Sequence, residues 1–288
     1  MKHLLTPKQV AQAIGVSESS LKRWCDRGAL SIVRTAGGHR RLALDDVVAF
    51  LRQSGHQIVR PELLGLPPAR GQSPATIDRG REMVREALLA GEDAQCRRIV
   101  LDLYLAGTSV CEIGDQVLAG AFHEIGDAWE CGEISVYRER RGCEIAMHTL
   151  HDLRGALPEV PLDAPRAIGG TLESDPYQLP TLMVELALRE AGWQATSLGT
   201  LLPVATLIDA LRENKPRLLW LSVSSIPDVD KFLADFAALH AAATEQGTAV
   251  VAGGRVLSED LRRQMSYSAY CDTLRHMVSF AQSLRQPA

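Results

Sequence analysis

The chain has 288 residues, 46% hydrophobic and 23% charged, a length that exceeds one ordinary core and implies two or three soluble domains. No apolar run approaches the roughly 18 residues of a membrane span, and the N-terminus lacks the apolar stretch of a secretion signal, which implies a cytoplasmic protein. The net charge of −4 hides an asymmetry: residues 1 to 55 hold nine Lys/Arg against four acids, a net of +5, and leave −9 for the remainder, so a polyanion is attracted to the first segment and repelled by the rest.

Thr6-Pro7 offers a cap followed by proline at the first helical position, and Val10, Ala11 and Ile14 form a short apolar stripe that stops at Gly15. Ser17 caps a second helix from Glu18 to Arg27, with Leu21 and Trp24 facing inward, Ser20, Lys22 and Arg23 outward, and Gly28 at its end. Two short helices with a tight turn make a helix-turn-helix. Ile32 to Thr35 and Arg40 to Leu42 flank Ala36-Gly37-Gly38-His39 as two strands of a basic-tipped wing. A third helix from Asp45 to about Arg52 closes the core through Val47, Val48, Phe50 and Leu51. Such a unit places one helix in the major groove of double-stranded operator DNA and guanidinium groups on phosphates.

The run from Thr6 through Trp24 to Gly37-Gly38-His39-Arg40-Arg41 resembles the N-terminal domain of the MerR family. The resemblance implies DNA contacts from Ser20, Lys22, Arg23 and Trp24 of the recognition helix and from His39, Arg40 and Arg41 of the wing, to which the strand residues Arg34 and Thr35 are added. MerR activators usually carry a long dimerisation helix directly after this unit. Here a stretch rich in proline and glycine, about Gly55 to Pro74, intervenes as a tether, which favours simple repression.

Four helical segments follow, at about 76 to 90, 93 to 105, 109 to 130 and 134 to 156, separated by Gly91, Gly107 and Gly132. Val110, Ile113, Val117, Phe122, Ile125 and Trp129 recur at helical spacing in the third, and Val136, Cys143, Met147 and Leu150 in the fourth, as in a four-helix bundle. Arg140 interrupts the last stripe, with Glu139 beside it. From Pro165 onward short apolar runs (167–171, 193–198, 217–222, 248–252) alternate with helices (181–191, 204–212, 228–243, 258–264, 273–284), which predicts a parallel sheet covered on both faces. Ligands of such sheets collect at the carboxyl ends of the strands, where Gly253-Gly254 permits close backbone approach. The expected fold is therefore multidomain α and α/β. It comprises a winged helix-turn-helix over residues 1–58, a linker over 59–75, a four-helix bundle over 76–160 and a flavodoxin- or Rossmann-like domain over 161–288.

This order of domains resembles the light- and vitamin-responsive repressors of the CarH and LitR group, which join a MerR-type reader to a helix bundle and a cobalamin-binding Rossmann-like domain. The group's Trp and Glu-His pair match Trp129 and Glu139-Arg140, and its Asp-x-His-x-x-Gly loop matches Asp175 to Pro180. Arg140 and Tyr177 thus stand where the group has histidines. Leu198-Gly199, Pro203, Ser222-Val223-Ser224 and Gly253-Gly254 match the scaffold that holds the nucleotide tail. Imidazole is a good cobalt ligand, a phenol titrating near ~10 is a poor one, and a guanidinium cannot ligate.

His-ligated cobalamin is accordingly disfavoured, and another tetrapyrrole (haem or bilin) or no cofactor is expected. Trp129, Glu139, Arg140, Asp175, Tyr177, Ser222, Ser224, Gly253 and Gly254 are the candidate ligand residues, and His123, His148 and His151 are candidate haem ligands. The six cysteines are scattered without a CxxC or Cys/His cluster, so no metal site is expected. No catalytic constellation appears at a recognisable spacing, so the chain is expected not to be an enzyme. The alternative from another class is a corrinoid-enzyme subunit, which shares the bundle and Rossmann-like pair, and Tyr177 in place of histidine and the DNA-binding unit both count against it. A homo-oligomer, dimer or tetramer, responding to a small-molecule effector or serving as a ligand-free assembly module, completes the expectation.

Overall fold

The computed structural model describes residues 4–35, 38–54, 61–64 and 74–285. Ala36 and Gly37 of the expected wing turn, and most of the stretch expected to be a tether, lie outside them. The chain forms two compact units, Met1–Pro158 and Glu159–Ala288.

The first unit opens with strand β1 (Leu4–Leu5), which the sequence pattern does not predict, and helix α1 (Pro7–Ala13). Thr6 and Gln9 cap each other: the Thr6 hydroxyl accepts the Gln9 N–H at 3.1 Å while the Gln9 side-chain oxygen accepts the Thr6 N–H at 2.9 Å. After Gly15, at φ +69°, Ser17 caps helix α2 (Glu18–Asp26) by accepting the Ser20 N–H. Strands β2 (Val33–Arg34) and β3 (Arg40–Ala43) follow, then helix α3 (Leu44–Ser54). The antiparallel order is β1-β3-β2, with Leu5 opposite Leu42 and Arg34 opposite Arg40. Leu5, Val10, Leu21, Cys25, Leu30, Leu42, Val47, Val48 and Leu51 form the buried core. Trp24, expected to face inward, is only half-buried, with its ring 5.0 Å from that of Phe50, and Cys25 takes the inward position.

Helices α4 (Pro74–Ala90), α5 (Asp93–Leu105), α6 (Val110–Glu112), α7 (Ala119–Glu130) and α8 (Val136–Ala156) build the four-helix bundle. A π-helical segment, Ile113–Leu118, joins α6 to α7 into one rod. The wider turn changes the phase of the helix, so Val110 is buried before it, Ile113 and Val117 within it, and Ala121 and Ile125 after it, while Trp129 falls outside the core. The stripe expected in the last helix is also corrected. Helix α8 docks through small residues, Gly142, Ala146 and Thr149, together with Ile145, Leu150 and Leu153. A Cβ on Gly142 would lie 3.6 Å from Leu88 Cβ of α4, so the small face lets the two backbones approach. Val136, Cys143 and Met147 are at least partly exposed, and Arg140 lies on an exposed face rather than in an apolar one.

Helix α3 of the winged helix-turn-helix packs on α5 and α8. Arg97 joins them: its Nη2 lies 2.7 Å from Asp45 Oδ1 and its Nε 3.0 Å from Asp152 Oδ2.

The second unit is a five-stranded parallel sheet of β4 (Arg166–Gly170), β5 (Gln194–Ser197), β6 (Leu218–Ser222), β7 (Ala249–Gly253) and β8 (Ala269–Tyr270), ordered β5-β4-β6-β7-β8. Helices α9 (Gln178–Glu190) and α13 (Leu274–Arg285) cover one face, on a core containing Ala167, Leu188, Trp193, Leu218, Trp220 and Val251. Helices α10 (Val204–Asn214) and α11 (Val229–Glu245) cover the other, on Ile168, Leu207, Leu219, Leu221, Phe236 and Val250, and α12 (Glu259–Arg262) completes the chain order. Successive residues of one strand enter opposite cores, which is why these strands are apolar without alternation. The strand order reverses between β4 and β6.

Candidate nucleic-acid interface and ligand site

Helix α2 presents Lys22, Arg23 and Arg27 to solvent. Lys22 is held by Glu18 one turn back at 3.2 Å. Ser20 is half-buried in the helix cap: its hydroxyl lies 2.9 Å from that of Ser17 and accepts from Arg23 Nη2 at 3.4 Å. Ser20 therefore orients Arg23. Arg27 is not among the expected contacts; its spacing of four from Arg23 puts it on the same helical face.

The wing closes tightly. Thr35 donates its N–H to the His39 carbonyl at 3.0 Å and accepts the His39 N–H on its hydroxyl at 3.2 Å, and Gly38 turns at φ +76°. Arg34 and His39 are exposed. Arg40 sits at the base of the wing, with its Nη1 2.9 Å from Asp26 Oδ1 at the end of α2, and Arg41 donates to the Arg40 carbonyl at 3.2 Å. Arg40 thus ties the wing to the end of α2, while Lys22, Arg23, Arg27 and Arg34 are the exposed cations of α2 and the wing, with His39 exposed beside them. Trp24 packs on Phe50.

Of the candidate ligand residues, Trp129, Glu139 and Arg140 belong to the first unit. Trp129 is 47% exposed. Glu139 Oε2 faces Arg140 Nε at 3.6 Å and its Oε1 accepts from Cys143 Sγ at 3.3 Å. Burial first, and then the neighbouring Glu139 carboxylate, pushes the Cys143 thiol up to about 12, so it stays protonated and donates.

The others lie at the carboxyl ends of the strands of the second unit. Asp175 is buried, and its carboxylate ties two loops together: Oδ1 accepts the Tyr177 N–H at 3.1 Å, and Oδ2 accepts those of Ser224 at 2.5 Å and Ser225 at 3.2 Å. Thr171 donates to the Asp175 carbonyl at 2.6 Å and accepts the Leu201 N–H at 3.2 Å, holding Leu201 at φ +57°. Tyr177, at the start of α9, is 47% exposed. Ser222 pairs with Gly253 across β6 and β7. A Cβ on Gly253 would meet the Cys271 carbonyl at 2.6 Å, and one on Gly254, at φ +144°, would overlap the Val223 carbonyl.

Beneath Ser222, Trp220 is buried with its Nε1 donating to Thr181 Oγ1 at 2.9 Å. Neither Trp220 nor Thr181 is among the candidates that the sequence marks. Residues buried inside an apolar strand or the first turn of a helix carry no local signal of this kind.

These residues do not fit a cobalamin held through a histidine. The phenol of Tyr177 is a poor cobalt ligand. Asp175 is committed to backbone N–H groups, and both glycines are required by neighbouring carbonyls. His123, His148 and His151 are exposed on α7 and α8, and among the described residues no three His, Cys, Asp or Glu side chains converge as a metal site. No helix among them is long and apolar enough to cross a membrane.

The chain is a multidomain protein in which a winged helix-turn-helix precedes a helical domain of B12-binding type and a Rossmann-like α/β unit. Residues 4–55 match the helix-turn-helix domain family and residues 81–150 the B12 binding domain family. The chain is similar to the HTH-type transcriptional repressor CarH of Myxococcus xanthus, with 27% identity over 241 residues, 77% of this chain and 79% of that protein. Among solved structures, the monomethylamine corrinoid protein of Methanosarcina barkeri shares the fold with a TM-score of 0.60 and 17% identity, covering 73% of this chain and 98% of that one.

Proposed function

We propose that this chain is a sequence-specific, DNA-binding transcriptional regulator, acting as a repressor, whose bundle and Rossmann-like domains serve as a homo-oligomeric assembly module that does not use His-ligated cobalamin. The observation that carries the DNA-binding part is the exposed cationic face of α2 and the wing, on a chain whose remainder is acidic. A field of that shape steers a duplex to one end of the protein and keeps it off the rest. Similarity to a repressor supports the regulatory reading. The absence of an imidazole at position 177 and the filled interior beneath Ser222 support assembly over capture of a tetrapyrrole such as haem or bilin. A retained fold does not imply a retained ligand.

The test is enrichment of duplexes from a random pool by the full-length protein, followed by gel shifts on the enriched motif. One motif should emerge. Replacing Arg23 and Arg34 together by alanine should weaken binding and lower the slope of log affinity against log salt by about 1 for each phosphate no longer neutralised. If no motif emerges and no duplex is retarded at low ionic strength, the reading fails. Purified protein should be colourless in the visible range and unchanged by added cobalamin, haem or biliverdin; a bound chromophore would overturn the ligand-free part alone.

A further inference from the structure

The place where β4 and β6 part company is where a doubly wound sheet ordinarily admits its ligand, outside the carboxyl ends of the strands at the reversal of strand order. In this protein the interior of that place, on the α9 side, is filled by the chain itself. Trp220 lies on β6 two residues before its end and is 1% exposed. Its indole lies against Gly169 on the neighbouring β4, where a Cβ would overlap both the ring and the Trp220 backbone carbonyl, so only a glycine leaves that face of the ring clear. The ring is oriented by a polar relay: Nε1–H to Thr181 Oγ1 at 2.9 Å, Thr181 Oγ1 to Ser197 Oγ at 3.2 Å, and the Gly199 N–H to Ser197 Oγ at 3.3 Å. The Ser197 N–H goes to Glu185 Oε2 at 3.1 Å. Thr181, in the first turn of α9, is fully buried, so it has no water to replace the indole as a donor. A flat bicyclic ring, a glycine opposite its face and a buried hydroxyl at its N–H are the parts of a heteroaromatic binding site, with the ring supplied covalently.

We propose that Trp220 is a built-in occupant of this site. Its indole takes the place of a flat, N–H-bearing bicyclic group, closes the switch point to ligands inserted there, and makes the Rossmann-like unit stable without one. Shortening the side chain uncovers a site for free indole-class heteroaromatics. The inference rests on the interior of the second unit alone and is independent of DNA binding.

The experiment uses the full-length protein with Trp220→Ala and reads thermal unfolding with and without indole. The substitution should lower Tm, because it removes the packing of a buried indole and leaves the buried Thr181 hydroxyl without the indole N–H. Saturating indole should then raise the variant's Tm by roughly 2–4 °C while leaving the wild type unmoved. Indene, which has the shape of indole but no N–H, should raise it less, and adding Thr181→Val should abolish the difference between the two. A folded Trp220→Ala protein that responds to indole no more than the wild type overturns the proposal. Equal responses to indole and indene overturn the role of Thr181. If Trp220→Ala does not fold, Trp220→Leu leaves a smaller cavity and is tested with pyrrole under the same criteria.

Discussion

Asp102 lies on α5 between the buried Leu101 and Leu103, and burial pushes its carboxyl from the ordinary 3.8 up to about 6. The folded protein then keeps a proton that the unfolded chain gives up, so stability falls as pH rises through that window and does not return above it. Asp102→Asn should stabilise the protein at neutral pH by about 1 kcal/mol, allowing for partial solvent access, and the gain should vanish near pH ~4. Urea unfolding at the two pH values checks this; an equal effect at both would show that the carboxyl is not the cause. Single residues are also the hardest to read from the sequence. Trp24 reads as inward because it is large and apolar, yet Cys25 occupies that position while the indole lies against Phe50. Arg140 looks anomalous only when the exposed side of α8 is mistaken for its core side.

Helices and central strands are legible where local chemistry marks their ends. Thr6 and Ser17 cap as their sequence implies, and Gly91, Gly107 and Gly132 turn at φ +83°, +96° and +76° after the helices they terminate. What escapes has physical reasons. β1 and β8 are two residues long, too short for any period to appear, and exist only because a longer strand pairs with them. The π-helical segment shifts phase without a sequence mark, and α8 docks through small residues that a count of large apolar ones overlooks. The Gly253-Gly254 pair reads as room for a ligand, whereas it makes room for backbone. Gly254→Ala should therefore cost more than about 2 kcal/mol, since both φ and the Val223 carbonyl oppose it. Gly199→Ala, at φ +90° in open space, should cost about 1 kcal/mol. Equal costs by chemical denaturation would argue against the steric part.

At the scale of the whole molecule, the reader, the bundle and the α/β unit are each legible as a kind of fold, because amphipathic period and strand-helix alternation survive any detail of packing. The packing of the reader on the bundle is not, since the residues responsible lie far apart in the chain. Arg97 of α5 contacts Asp45 of α3 and Asp152 of α8, with the arginine and Asp45 largely buried. Removing the cation leaves two carboxylates facing each other, so Arg97→Ala should destabilise the first unit by about 2–3 kcal/mol. Asp45→Asn should cost less, and the double variant should be less damaged than the sum of the two. Additive losses would show that the groups do not act together. The same cation has a genetic meaning. A plate screen for alleles that lose promoter occupancy should return lesions at codons 45, 97 and 152 alongside those on the surface proposed to meet DNA, and second-site suppressors of one should map to the other two.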